Sequence, residues 1–364
     1  MRPPRVVIAG GGTGGHLYPG IAVARELLGR EPGSQVTFAG TASGIEARVL
    51  PKEGFELDLL RSAGLKGKSW RAAVRGLGLL PLSAIDAWRI VSRRAPDVVV
   101  GVGGYSSGPV VLAAVIRRVP TLLLEQNALP GFTNRSLARY VSRAAVTFES
   151  TASYFGGRAI VTGNPVRPEF FDDGPTAGPP AGRPRILIFG GSQGAHAINM
   201  AMVEAAPKLA AHPGGLAITH QTGERDLEMV RRAYADAKLQ ARVEPFLFEM
   251  DREMKEADLI VCRAGATTIA ELTAAGRPAV LIPLPTAADD HQRKNADVLA
   301  AAGAAEQMDQ TRLTGTALAD RITSLAADRT RLSAMSQAAR RLARPDAASA
   351  IVDTLLSLSA ARDR

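Results

Sequence analysis

At 364 residues, 46% hydrophobic and 22% charged, the chain is too long for one hydrophobic core and reads as a two-domain globular protein. Its single cysteine, Cys262, excludes an internal disulfide and suits a reducing cytoplasm; the apolar start is too short for a leader peptide, and no run of about 18 apolar residues is present to span a bilayer. The net charge of +9 is unevenly spread: residues 1–167 hold 21 Lys and Arg against 10 Asp and Glu, and the remainder 23 against 25, so the first half alone suits a polyanionic partner, nucleic acid or anionic lipid.

The chain opens on a buried strand at Val7-Ile8-Ala9, a glycine-rich turn at Gly10-Gly11-Gly12-Thr13-Gly14-Gly15, and a helix start at His16. The same logic returns 180 residues later, in Leu187-Ile188-Phe189 followed by Gly190-Gly191-Ser192-Gln193-Gly194-Ala195-His196. Strand, glycine turn and helix form the opening unit of a doubly wound α/β domain, so the chain begins such a domain twice. Apolar runs predict further strands at Val36–Gly40, Val98–Val102, Thr121–Leu124, Ala144–Phe148, Leu216–Gln221, Leu259–Cys262 and Ala279–Pro283. Helical patterns lie between them, for example Ile21–Leu28 and Thr267–Ala275. A Pro- and Gly-rich run, Gly174–Pro184, separates the two halves. The expected architecture is α/β, with two Rossmann-like doubly wound domains facing a cleft. The first covers 1–167, a linker 168–184, and the second 185–345. A helix over 346–364 returns to the first domain, by analogy of fold.

Gly10, Gly12 and Gly15 satisfy G-x-G-x-x-G, a pattern that is both a common structural turn and a cradle for oxygen-rich ligands at a helix N-terminus. A nicotinamide or flavin dinucleotide would need an acid at the end of the second strand, yet that strand ends in Gly40-Thr41, with Glu46 further on in the next helix. No G-K-[ST] follows either loop, which excludes a Walker site. The loops differ chemically. Ser192 and Gln193 offer a hydroxyl and an amide for phosphate oxygens, whereas His16 puts an imidazole at a loop tip, as a helix cap or as a general base or sugar contact.

Further motifs follow in order: Gly103-Gly104-Tyr105-Ser106-Ser107-Gly108-Pro109, Glu125-Gln126-Asn127, Gly163-Asn164-Pro165-Val166-Arg167, Cys262-Arg263-Ala264-Gly265-Ala266, His291-Gln292 and Asn295-Ala296. Together with the two glycine loops, this set resembles glycosyltransferase family 28, in particular its undecaprenyldiphospho-muramoylpentapeptide β-N-acetylglucosaminyltransferases, over roughly residues 5–345. The resemblance implies the two-domain GT-B fold, with UDP-N-acetylglucosamine (UDP-GlcNAc) on the second domain and the undecaprenyl-linked muramyl-pentapeptide acceptor on the first. It implies an inverting transfer with no bound metal and no cofactor. No Asp-x-Asp stands at a strand end to bridge a diphosphate to a metal: Asp172-Asp173 lies in the linker and Asp289-Asp290 before a helix.

Residue by residue, the resemblance implies that Thr13, Gly14 and Gly15 lie against the sugar or diphosphate, and that Asn127 binds hydroxyls of the transferred sugar. Arg167 and Ser192 contact the phosphates, a role for which a guanidinium fork is suited. Leu247 lends backbone atoms to uracil, and Thr267 and Thr268 start a helix beneath the diphosphate. Glu271 reaches the ribose, and His291 and Gln292 read the sugar. His16 is the first choice of catalytic base and Glu125 the second. The plainer readings are structural: Asn127 as a turn residue, Ser192, Thr267 and Thr268 as helix caps, and Glu271 as an ordinary helix surface residue. Two departures from the family pattern stand out. Leu124 occupies a position that is His in many members, and Ala264 and Ala270 stand where serines are expected.

A lipid-borne acceptor implies membrane contact by the first domain, at the cytoplasmic face and without a span. Residues 61–94 fit: Trp70, Arg71, Arg75, Leu79, Leu82, Trp88 and Arg89 are the candidate contacts, in a basic, Trp-bearing apolar segment suited to an anionic interface. The competing reading puts Leu82, Ile85 and Trp88 in the core at helical spacing. No nucleic-acid module or stacking platform is recognisable. A UDP-GlcNAc 2-epimerase and a non-catalytic UDP-sugar-binding regulator are the alternative functions. The epimerase would need its own acid/base set and no lipid acceptor, and the regulator would tolerate loss of His16 while keeping the loops.

Overall fold

The computed structural model describes residues 2–62, 70–171, 182–191 and 193–362, without the side chains of residues 70–78. The chain forms two compact units. Met1–Val166 and Arg344–Arg364 make the first, and Arg167–Ala343 the second. Ser192 and most of the Gly174–Pro184 run lie outside the described residues.

The first unit is built on a parallel seven-stranded sheet: β1 (Arg5–Gly10), β2 (Gln35–Gly40), β3 (Glu56–Leu59), β4 (Val98–Gly103), β5 (Thr121–Glu125), β6 (Arg143–Val146) and β7 (Ala159–Val161), in the order β3-β2-β1-β4-β5-β6-β7. In register, β1 sets Val6 between Val36 and Val98. Alternation along β1 supplies two cores. Val6 and Ile8 pack with Leu17, Ile21 and Ala24 of the helix Gly14–Arg30, while Val7 and Ala9 pack with Ile90, Val91, Val110 and Ala114 on the other face. The helix Ala347–Arg362 belongs to the first core through Ile351, Val352 and Leu355. Arg30 of the first helix bonds Ser349 and Asp353 of the last.

The second unit repeats the plan with six parallel strands: β8 (Arg185–Phe189), β9 (Ala217–Gln221), β10 (Ala241–Glu244), β11 (Leu259–Cys262), β12 (Ala279–Leu281) and β13 (Ala305–Gln307), in the order β10-β9-β8-β11-β12-β13. Ile186 and Ile188 face a core completed by Ile198, Met202, Leu318 and Ile322. In both sheets the direction of strand addition reverses at the first strand. Open α/β sheets bind ligands at the carboxyl ends of the strands flanking such a reversal.

Candidate active site

The sequence motifs cluster where that rule places a site, at the carboxyl ends of the strands. In the first unit, Gly11–His16 follows β1, Thr41 follows β2, Gly104–Ser107 follows β4 and Gln126–Asn127 follows β5. His16 sits in the first turn of its helix, with Nδ1 3.1 Å from the Thr13 hydroxyl. Thr13 is the N-cap residue but its side chain makes no capping bond, so its hydroxyl serves the imidazole. Gly103 makes room for the ring. A Cβ there would stand 2.9 Å from His16 Cδ2, and its φ of +94° is itself a glycine conformation.

Glu125 is buried at the end of β5 and spends both carboxyl oxygens on the loop that follows. Oε1 accepts from the backbone N–H of Asn127 at 3.0 Å and from its amide at 3.3 Å. Oε2 accepts from Gly131 N–H at 3.0 Å and from the Asn134 amide at 2.8 Å. Burial raises its pKa despite these bonds. The arrangement makes Glu125 the clamp of the 126–131 loop and the residue that orients Asn127.

In the second unit the glycine loop lies hard against the turn after β9. A Cβ on Gly194, where φ is +73°, would stand 1.8 Å from the Thr222 carbonyl oxygen. Gln221, a residue the sequence reading passed over, ties three strand ends together. Its amide donates to the Gly191 carbonyl at 2.7 Å, and its oxygen accepts from Leu247 N–H at 3.3 Å. The backbone N–H of Leu247 is therefore engaged within the protein. Behind the loop runs a buried polar chain: His220 meets Asn199 Oδ1 at 3.1 Å and the Tyr234 hydroxyl at 2.7 Å. Burial holds the His220 pKa down at about 3, so its ring is neutral.

After β11 the helix Ala266–Ala275 begins with Gly265 as its N-cap residue and no side-chain cap. Thr267 Oγ1 is buried without a hydrogen-bond partner among the described residues, and Thr267 and Thr268 are both half-buried. This helix start thus offers backbone N–H groups and a hydroxyl to an oxygen-rich ligand. One turn on, desolvation raises the Glu271 carboxyl to about 7; Arg167 opposes the shift and Asp251 adds to it. Arg167 is exposed, its guanidinium 5.2 Å from the centre of the Phe170 ring. His291 and Gln292 open the helix His291–Ala301, and Gln292 accepts from Leu284 N–H at 3.0 Å. Buried Arg263 bonds the carbonyls of Ile282 and Pro283, and buried Asn295 bonds that of Ala264, fixing the ends of β11 and β12.

The candidate membrane segment forms the helix Trp70–Arg94. Leu82, Ile85 and Trp88 are exposed, as are Leu80 and Arg89, and Leu79 is half-buried. Ser83, Ala87, Ile90 and Val91 face inward instead. Leu112 and Ile116 of the neighbouring helix Ser107–Ile116 extend the apolar face, and the Arg117 guanidinium lies 4.9 Å from the centre of the Trp88 ring. Part of the segment's positive charge is neutralised locally, because Arg61 pairs with Asp86 and both Arg93 and Arg94 pair with Asp58. The side chains of Trp70, Arg71 and Arg75 lie outside the described residues.

Two doubly wound lobes in one chain, each with a glycine loop at its strand ends, define the class: a GT-B-type protein of the kind that handles nucleotide-linked sugars. The chain belongs to glycosyltransferase family 28, since residues 6–146 match the family's N-terminal domain and residues 185–351 its C-terminal domain. It is 48% identical over 355 residues to the UDP-N-acetylglucosamine--N-acetylmuramyl-(pentapeptide) pyrophosphoryl-undecaprenol N-acetylglucosamine transferase of Anaeromyxobacter sp. (strain Fw109-5), covering 97% of this chain and 93% of that one. The protein of the same name in Myxococcus xanthus is 47% identical over the same shares of the two chains. Among solved structures, Acinetobacter baumannii MurG superposes with a TM-score of 0.82 at 34% identity, over 98% of this chain and 100% of that one. A UDP-GlcNAc 2-epimerase from Neisseria meningitidis shares the fold, with a TM-score of 0.65 at 15% identity, over 97% of this chain and 99% of that one.

Proposed function

We propose that this protein transfers N-acetylglucosamine from UDP-GlcNAc to the 4-hydroxyl of the muramyl sugar on an undecaprenyl-diphosphate-linked muramyl pentapeptide, with inversion, during peptidoglycan synthesis. The observation that carries the reading is the near-full-length identity of 47–48% to transferases of that name, with the family's loops and polar residues at the strand ends of both lobes. The first lobe takes the acceptor and the second the UDP-sugar.

In this reading the donor diphosphate meets Arg167, Ser192 and the helix start at Ala266–Thr268. A helix N-terminus contributes roughly 0.3–2 kcal/mol toward a nearby anion, so several donors act together. Glu271 accepts hydrogen bonds from the ribose, and Asn127, His291 and Gln292 read the transferred sugar. The acceptor hydroxyl attacks the anomeric carbon on the face opposite the departing UDP, and its proton passes to His16. With Nδ1–H donated to the Thr13 hydroxyl, Nε2 is the basic atom. Glu125, whose oxygens already accept four bonds, serves by holding Asn127 in place.

The exposed face formed by Leu82, Ile85, Trp88, Leu112 and Ile116, bordered by Arg89 and Arg117, seats the first lobe on the cytoplasmic leaflet as a peripheral protein. The deciding assay is transfer of radiolabel from UDP-GlcNAc to the undecaprenyl-linked acceptor. Label that stays on the nucleotide sugar while UDP-GlcNAc alone is epimerised would replace this reading with the epimerase.

A further inference from the structure

The second lobe carries a buried polar chain at a place where the first lobe is apolar. In the sheet registers His220 lies opposite Ile188 of β8 and Phe38 opposite Ile8 of β1, so the two residues hold the same position in the two lobes. Phe38 packs with its ring centre 5.1 Å from that of Phe55, and His220 packs 5.9 Å from Tyr234. The fold thus closes over two phenyl rings in one copy and buries an imidazole and a phenol in the other. The hydrogen bonds fix each proton along the chain. The Asn199 amide spends its two N–H groups on the Thr222 carbonyl at 2.9 Å and on Asp226 Oδ2 at 2.8 Å. Flipping the amide would set its oxygen against those two acceptors, so Oδ1 is the atom that faces His220 Nε2, 3.1 Å away, and that nitrogen donates. Burial keeps the ring neutral, with a single N–H, so Nδ1 accepts from the Tyr234 hydroxyl at 2.7 Å.

The chain ends at the glycine loop. Thr222, which receives the Asn199 amide, belongs to the turn against which that loop lies. A Cβ on Gly194 would stand 1.8 Å from the Thr222 carbonyl oxygen, and a Cβ on Gly223 would stand 2.2 Å from that of Gln193. At so close a contact the loop moves only if the turn moves with it. We infer that Tyr234 and His220 are positioning residues for the nucleotide diphosphate: through Asn199 they fix the Thr222 turn, and with it the loop that carries Ser192. This role rests on the placement of the UDP-sugar on the second lobe. A buried network with every member paired holds one geometry, because a rotated ring or amide would face donor with donor or acceptor with acceptor. The Phe38–Phe55 pair of the first lobe fills the same space without directing its loop. A loop already held in place surrenders little further freedom when the ligand arrives, and that is the affinity the chain supplies.

The test uses Tyr234→Phe and the double variant His220→Phe/Tyr234→Phe in the full-length protein. The double variant gives the second lobe the ring pair of the first. Calorimetry with UDP and with uridine separates the diphosphate from the nucleoside without requiring turnover. For Tyr234→Phe the expected result is UDP binding weaker by about tenfold, with uridine binding within about twofold of the wild type. KM for UDP-GlcNAc should rise in step, and acceptor KM should not change. The double variant should still unfold cooperatively, yet bind UDP more weakly by roughly 30-fold or more while uridine binding persists. Wild-type UDP affinity in Tyr234→Phe overturns the inference. So does an equal loss of UDP and uridine, the mark of a merely structural role. Tyr234→Phe decides the matter should the double variant fail to fold. A wild type that binds no UDP would defeat the placement of the donor instead. Amide exchange over Gly190–Gly194 in the unliganded proteins would then judge the chain: faster exchange in Tyr234→Phe upholds it and equal rates overturn it.

Discussion

Replacing Glu271 by Gln should stabilise the protein at alkaline pH and leave it nearly unchanged in acid. The Glu271 carboxyl titrates near 7 in the folded chain, against an ordinary value of 4.5, because desolvation outweighs the pull of Arg167. An acid whose pKa is raised by folding binds more protons in the native state than in the unfolded state between those two values. Stability therefore falls as pH rises from 4.5 to 7 and levels off above. A shift of that size corresponds to about 3 kcal/mol, and the partial exposure of Glu271 reduces it to roughly 2–3 kcal/mol. For a unit of this size each kcal/mol moves Tm by roughly 2–4 °C, so the Tm gap between Glu271→Gln and wild type should open by roughly 4–12 °C from acid to pH 8. Most of the change should appear between pH 5 and 8. The assay is thermal unfolding without ligand, followed by calorimetry with UDP. If Glu271 receives the ribose hydroxyls, wild-type UDP affinity should rise as pH passes 7 and the ionised acceptor becomes populated. Gln should show no such rise and should bind about tenfold more weakly at pH 8. A Tm gap that stays constant across this range would refute the argument.

Three further outcomes follow from the geometry. His16→Gln should lower kcat by roughly 10²–10⁴-fold, the usual contribution of a general base, while UDP affinity measured by calorimetry stays unchanged. Gln221→Ala removes the tie between Gly191 and Leu247, at a cost of about 1–3 kcal/mol for two unpaired backbone groups; KM for UDP-GlcNAc should rise about tenfold with little change in acceptor KM. Exchanging Ile85 and Trp88 together for Glu should abolish flotation with anionic vesicles while transfer to a detergent-soluble acceptor persists, and undiminished flotation would remove this face from the membrane reading.

Much of the fold was legible because duplicated glycine loops and long apolar strands are local signals. The central strands β1, β4, β5, β8 and β11 are buried on both faces and show as continuous apolar runs. The outer strands β3, β7, β10 and β13 were missed, since each has only three or four residues and a partly exposed face, as in Glu-Leu-Asp-Leu at 56–59. In the candidate site, spaced motifs mark the strand-end loops, whereas residues defined by tertiary contact carry no such signal. Gln221 ends a strand without any motif, and Glu46 reads in the sequence only as a residue of the helix after β2. Its bonds to Thr41 and Gly12 appear only when β2 lies beside β1 and brings both to the same carboxyl group. The tie between Glu125 and Asn134 is equally non-local in character, a side-chain bond across nine residues that periodicity does not reveal.

The first lobe is not one continuous stretch of polypeptide, because the chain departs at Val166 and comes home at Arg344. This governs how the gene can be cut. Ending translation at Ala343 would bare the trench filled by Ile351, Val352 and Leu355, forfeiting roughly 5–9 kcal/mol of apolar burial, so residues 1–166 alone would be an aggregating fragment. A soluble isolated first lobe requires the final 21 residues to be grafted back through a short splice after Val166, whereas the second lobe can be excised as a single piece between Arg167 and Ala343.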